Sequence, residues 1–203
     1  MFIRILAALA MSACLVACNM AGAPRSESNS LVGPSDVPDP QRSAPASGAI
    51  PRAIASTNVV INMLDNCDPD TFNAIIGPGT CVRNGGLKFD DFIAQLTRLG
   101  FVGSWRFSRP VTNARVGETL VVTNRGGEAH TFTEVEEFGG GIVANLNELA
   151  GVPNVAPECL NLAPGDFVAP GQTFTETEEE EGDEKYMCCL HPWMRLDLHV
   201  TEK

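Results

Sequence analysis

The stretch "KYMCCLHPWMRLDLHV", from Lys185 to Val200, leaves the chain few ways to fold. In its second half Leu196, Leu198 and Val200 fall on one face of an extended segment, and Arg195, Asp197 and His199 on the other. The "KYMCC" half also reads as a strand, so a short loop carrying His191 and Met194 joins the two. On the first strand Tyr186 and Cys188 share a face, and Cys189 points the opposite way. Two strands cannot hide an apolar face alone, and the sequence supplies more. "TNVVINM" (57–63), "GSWRFS" around Trp105, the two halves of "ARVGETLVVTNRGGEAHTFTEVEE" and "APGQTFTETEE" are short strand segments punctuated by turn residues. Such a pattern predicts a mainly β domain, a sandwich or a barrel.

Two segments interrupt it. In "FDDFIAQLTRLG" Phe89, Phe92, Ile93, Leu96 and Leu99 recur at helical spacing, with Gly100 as the stop, which predicts a short core-packing helix. "GIVANLNELAG" predicts a second one inside an irregular excursion that ends near Cys159.

The N-terminal end has a different character. "MFIRILAALAMSACLVAC" joins Arg4 to an apolar run too short to span a membrane, the pattern of a bacterial-type secretory signal. Leu15-Val16-Ala17-Cys18 reads as a lipobox, which places a signal peptide at 1–17 and a lipid on Cys18. Residues 18–56 are rich in Ser, Pro, Ala and Gly, without periodicity, and read as a disordered tether. One domain, 57–203, follows.

Of seven cysteines, export leaves Cys67, Cys81, Cys159, Cys188 and Cys189 in the folding domain. Free thiols are unusual outside the cytosol, and an odd number forces at least one to stay single. A metal-bound thiolate is one stable way to keep it so. Cys67 and Cys81 flank "DPDTFNAIIGPGT", read as a loop with turn signals, and are expected to pair with each other. Cys159 is then expected to pair with whichever of Cys188 and Cys189 is not a ligand.

Charge narrows the partners. The formal net charge is -11, and loss of Arg4 with the signal takes it to -12. No basic patch offsets it, so nucleic acid is excluded as a partner. The run "ETEEEEGDEK" (176–185) reads as a solvated strand end and loop, with a docking patch as the alternative.

Histidine is scarce: His130, His191 and His199. His199 lies on the polar face of the last strand. Cys188-x-x-His191-x-x-Met194 puts thiolate, imidazole and thioether on one loop, and His130 adds an imidazole from a distant strand. Two histidines, one cysteine and a weak axial methionine make the ligand set of an electron-transfer copper site. Thiolate stabilises Cu(I) and imidazole suits Cu(II). Zinc would call for a harder or thiolate fourth ligand.

Over about 103–203 the sequence resembles the cupredoxins, the small blue copper proteins such as plastocyanin, pseudoazurin and amicyanin. "VGETLVVTNRGGEAHTF" resembles the family's strand, asparagine and first ligand histidine, here His130. "APGQTFTETEEEEGDEKYMC" resembles its Pro-Gly turn, strand and approach to the ligand cysteine. "CCLHPWMR" has two residues between each pair of ligands, as in amicyanin. The resemblance implies a cupredoxin-like Greek-key β-sandwich, with one or two short helices in insertions. It also implies one type 1 copper ion held by His130, Cys188, His191 and Met194. Cys189, Leu190 and Thr131 depart from the residues common beside the ligands, which puts the potential and the colour in question. The segment 66–99 exceeds the minimal family fold. Trp193 has two readings, a packed cap over the site or part of an apolar docking surface.

The function so implied is a one-electron carrier, not an enzyme, that is periplasmic and lipid-anchored. It would meet a redox protein such as a dehydrogenase, a cytochrome or an oxidase, with electrons leaving by the His191 edge. Copper trafficking or storage with the same ligands is the alternative. A copper enzyme would need a further histidine-rich site, for which only His199 is spare, and a metal-free structural sandwich would bind no copper.

Overall fold

The computed structural model describes residues 57–203. The signal peptide, the lipid-bearing Cys18 and the tether expected at 1–56 lie outside the described residues. Among these, no helix is long and apolar enough to cross a membrane.

Strand β1 (Asn58–Leu64) alternates exposed and buried positions, as its sequence requires, and turns Val59, Ile61 and Met63 inward. It pairs with β2 (Arg106–Phe107) on one side and runs parallel to β4 (Thr119–Asn124) on the other. Beyond β4 lies β8 (Thr173–Thr177), which closes a four-stranded sheet in the order β2-β1-β4-β8. The second sheet is built around the opening motif. β9 (Gly182–Met187) and β10 (Arg195–Thr201) pair antiparallel with Leu196 opposite Tyr186. β3 (Val111–Arg115) joins β10 in parallel and β6 (Thr133–Glu134) joins β9, giving the order β3-β10-β9-β6. A small ribbon of β5 (His130–Thr131) and β7 (Phe167–Val168) lies outside both sheets.

Inward residues of the two sheets share one apolar cluster that includes Ile61, Met63, Leu120, Val122, Tyr186, Leu196 and Leu198. The fold is therefore the mainly β, cupredoxin-like sandwich that the sequence predicts. Arg195, Asp197 and His199 alternate outward, and His199 Nδ1 meets Asp183 at 2.5 Å.

The segment between β1 and β2 holds two helices rather than one. The helix α2 (Phe89–Leu99) ends at Gly100, whose φ of 76° favours the residue without a Cβ. The loop expected between Cys67 and Cys81 instead contains α1 (Pro69–Ile75). Asp68 caps it by accepting from Thr71 N at 3.0 Å, and Pro69 occupies the first helical turn, where its missing N–H costs nothing. A Pro and a short apolar run read equally well as a turn, which is why the helix is not visible in the pattern. Phe72 from α1 and Phe92 from α2 pack at 5.5 Å, and Phe92 meets Trp105 at 4.8 Å. The predicted helix in the later excursion is α3 (Ala144–Leu149).

Both expected disulfides are present, Cys67–Cys81 and Cys159–Cys189, and Cys188 is the free, buried cysteine.

Candidate metal centre

The loop after β9 is closed by its own backbone. Cys188 N donates to the Met194 carbonyl at 3.0 Å, His191 N to the Cys188 carbonyl at 3.2 Å, and Met194 N to the His191 carbonyl at 2.9 Å. Those three bonds turn the chain tightly enough to bring the Cys188 and His191 side chains together. His130 reaches the same point from β5. It is delivered by the 124–130 loop, which Asn124 fastens: its amide donates to Glu128 O and Val168 O, and its carbonyl oxygen accepts from Gly126 N.

His130, Cys188 and His191 are thereby gathered into one buried group, with one ligand atom of each within 4.8 Å of the others. The Nδ1 of each imidazole lies 3.7 Å from Cys188 Sγ. Metal bonds of roughly 2.0–2.3 Å from a central ion place sulfur and nitrogen about 3.6–3.8 Å apart, so both sulfur–nitrogen separations suit a first-row metal. Met194 is fully buried in the same apolar cluster as Cys188, and its backbone is bonded to both loop ligands. His199 lies apart, with Asp183.

Electrostatics prepare the sulfur. Burial pushes the Cys188 thiol up, but the contacts with His130 and His191 outweigh it and hold the group well below the usual thiol range. Thr131 N donates to the same sulfur at 3.4 Å. Burial pushes His130 down; Asp65 and Cys188 outweigh that and push it up to about 9. A cation at the centre would displace that proton.

Three contributors escaped the sequence reading: Asp65, Glu128 and Trp105. Asp65 Oδ2 accepts from His130 Nε2 at 2.9 Å. Glu128 Oε2 lies 3.6 Å from His191 Nε2 and accepts from Trp105 Nε1 at 2.7 Å. A signal for Asp65 did exist. It continues the inward positions 59, 61 and 63 of β1, so a carboxylate is aimed at the core. Nothing in "RGGEAH" marks Glu128 as buried.

His191 is the more exposed of the two histidines, but only at 6% against 0% for His130. Trp193 packs edge-on against His191 at 5.6 Å and against Phe92 at 5.9 Å, as a cap continuous with the aromatic cluster of the helical insertion. A cleft of about 400 Å³ walled by Ile76, Thr80, Ala129, Leu146, Pro170 and Leu190 also has Glu128 and His191 in its lining.

No family model and no curated relative matches the chain. Solved structures do. A purple cupredoxin from Nitrosopumilus maritimus is 23% identical over 49% of this chain and 86% of its own, with a TM-score of 0.35. A methionine-to-alanine variant of amicyanin with Cu(I) is 22% identical, over 47% and 72%, with a TM-score of 0.32. The reduced Cu(I) form of a proline-to-glycine amicyanin variant is also 22% identical, over 49% and 76%, with a TM-score of 0.33. The likeness is one of fold.

Proposed function

We propose that the chain is an exported type 1 copper protein that carries single electrons between redox partners. His130, Cys188 and His191 would hold the ion, with Met194 as the weaker fourth ligand. The observation that carries this reading is the free Cys188. In a domain whose other four cysteines are paired, it alone stays reduced, flanked at equal distance by two Nδ1 atoms. Copper would supply a one-electron couple there. The residues supply a cage closed by backbone bonds, with Cys188 Sγ and the two imidazole nitrogens already gathered, so little would need to move between the two oxidation states.

Copper delivery with the same ligands is the rival. Burial of every donor favours retention, because a carrier that hands over its metal needs a ligand within the acceptor's reach. The partner would be a redox protein that docks over the apolar cleft, whose lining includes the exposed Ile76. Net charge favours a basic one. Placement outside the cytoplasmic membrane on a lipid at Cys18 belongs to the same reading.

The test is to load the purified full chain with Cu(II) and record its visible spectrum. An intense thiolate-to-copper band that bleaches and returns over repeated one-electron cycles, with metal retained, is expected. No band would overturn the copper reading. Ready loss of Cu(I) to a competing acceptor would turn it toward delivery.

A further inference from the structure

Each imidazole of the centre has a carboxylate behind it. On the side facing Cys188 both present Nδ1 at 3.7 Å. On the far side His130 Nε2 meets Asp65 Oδ2 at 2.9 Å, and His191 Nε2 faces Glu128 Oε2 at 3.6 Å. The two acids come from separate parts of the chain, Asp65 just past β1 and Glu128 in the loop before β5. They are nevertheless tied together. Asp65 Oδ2 also accepts from Glu128 N at 3.1 Å, while Oδ1 accepts from Gly127 N at 2.9 Å and Cys67 N at 3.3 Å. Glu128 is steadied by the Trp105 indole.

Both acids are buried, Asp65 at 8% exposure and Glu128 at 6%. Among the described residues no lysine or arginine pairs with either; their ion-pair partners are the two imidazoles. Burying a carboxylate without a cation costs several kcal/mol. Burial pushes the Glu128 carboxyl up, His191 and Trp105 oppose that, and a cation at the centre would favour the ionised form of both acids. The bond to Asp65 keeps hydrogen on His130 Nε2 and leaves its Nδ1 free to bind metal, and Glu128 faces the corresponding edge of His191.

We propose that Asp65 and Glu128 are a matched pair of positioning residues that fix both ligand imidazoles and bias the centre toward the more highly charged Cu(II) over Cu(I). This rests on the copper reading above. The added negative charge stabilises the dication more than the monocation, so the pair lowers the reduction potential. A purely structural role is the competing account for Asp65, since it also organises 126–128. That role would weaken both oxidation states alike.

The test uses the full chain with Glu128→Gln and Asp65→Asn, singly and together. Cu(I) and Cu(II) affinities are measured separately by chelator competition, and the potential with redox mediators. Each variant is expected to keep the thiolate band and lose about 10-fold or more in Cu(II) affinity, with a smaller loss for Cu(I). A tenfold change in the ratio raises the potential by about 59 mV for one electron. The double variant should shift it further. Glu128→Gln retains an acceptor for Trp105 and carries the test if Asp65→Asn does not fold. Equal losses for both oxidation states, or an unmoved potential, would overturn the pairing while the parent's band still supported the copper reading. A parent without the band would overturn both.

Discussion

Cys188 and Cys189 are neighbours with opposite surroundings. Cys188 lies in the main core with Tyr186 and Leu196, free, between two imidazoles. Cys189 lies in a second, smaller cluster with Val135, Ala156 and Met187, bonded to Cys159. The cause is the two-residue alternation of an extended chain, which sends successive side chains to opposite faces. One face delivers a sulfur to the metal centre. The other anchors the excursion between β6 and β8, and the Ile142 N–H bonded to the Cys189 carbonyl at 2.7 Å holds it a second time. A single step along the chain therefore separates chemistry from architecture.

The largest expected effect is the loss of that chemistry. Cys188→Ser should abolish the thiolate-to-copper band, and Cys189→Ser should leave it standing. A band that survived Cys188→Ser would reverse the assignment of the two sulfurs. Next comes the architecture. Replacing Cys159 and Cys189 together by Ala should cost about 2–4 kcal/mol of unfolding free energy, read from denaturant titration, with the band retained. If the band disappeared as well, the disulfide would be holding the copper loop and the two faces would not be independent.

Thr131 touches both sides. Its backbone N–H donates to Cys188 Sγ, and its hydroxyl accepts from Cys189 N at 2.8 Å. Thr131→Val keeps the first contact, removes the second together with the bond from the Thr133 hydroxyl at 3.0 Å, and strands a buried N–H. That should cost about 1–3 kcal/mol, measured by thermal or chemical unfolding, with little change in the band. A large spectral shift would show that the position of Cys189 is felt at the Cys188 sulfur.

Much of this was legible because it depends on local periodicity and on counting. Alternation placed Tyr186 with Cys188, the odd number of cysteines left one sulfur single, and the spacing of Cys188, His191 and Met194 defined the loop. What sequence could not give was what the long-range turns bring near. The insertion that carries α1, α2 and Trp105 covers the His191 side, and its contacts with Glu128 and Trp193 join segments far apart in the chain. No pattern along one strand encodes such a meeting. Asp65 was an exception, since its place just past β1, in step with the inward positions of that strand, was readable. Its partner His130 was not, because their pairing depends on how the 124–130 loop folds back.

The smallest expected effect lies at the far end of the Cys188 face. The Tyr186 hydroxyl lies 2.9 Å from Glu184 Oε2 and 3.2 Å from Glu176 Oε2, and its single proton serves one at a time. Glu178 beside them is 3% exposed, with one oxygen lacking a hydrogen-bond partner. Burial, then the charge of Glu184, pushes its carboxyl up to about 8. The folded protein therefore keeps this proton over a range in which the unfolded chain, with an ordinary carboxyl near 4.5, has lost it. Stability from this group is full below that value and drains away as pH rises through about 8. The Tm of the apoprotein should fall progressively as pH rises across that window. Glu178→Gln should flatten that dependence. An unchanged slope would place its source elsewhere. A copper band that moved over the same window in the parent, and not in Glu178→Gln, would show that the acidic end and Cys188 communicate along β9.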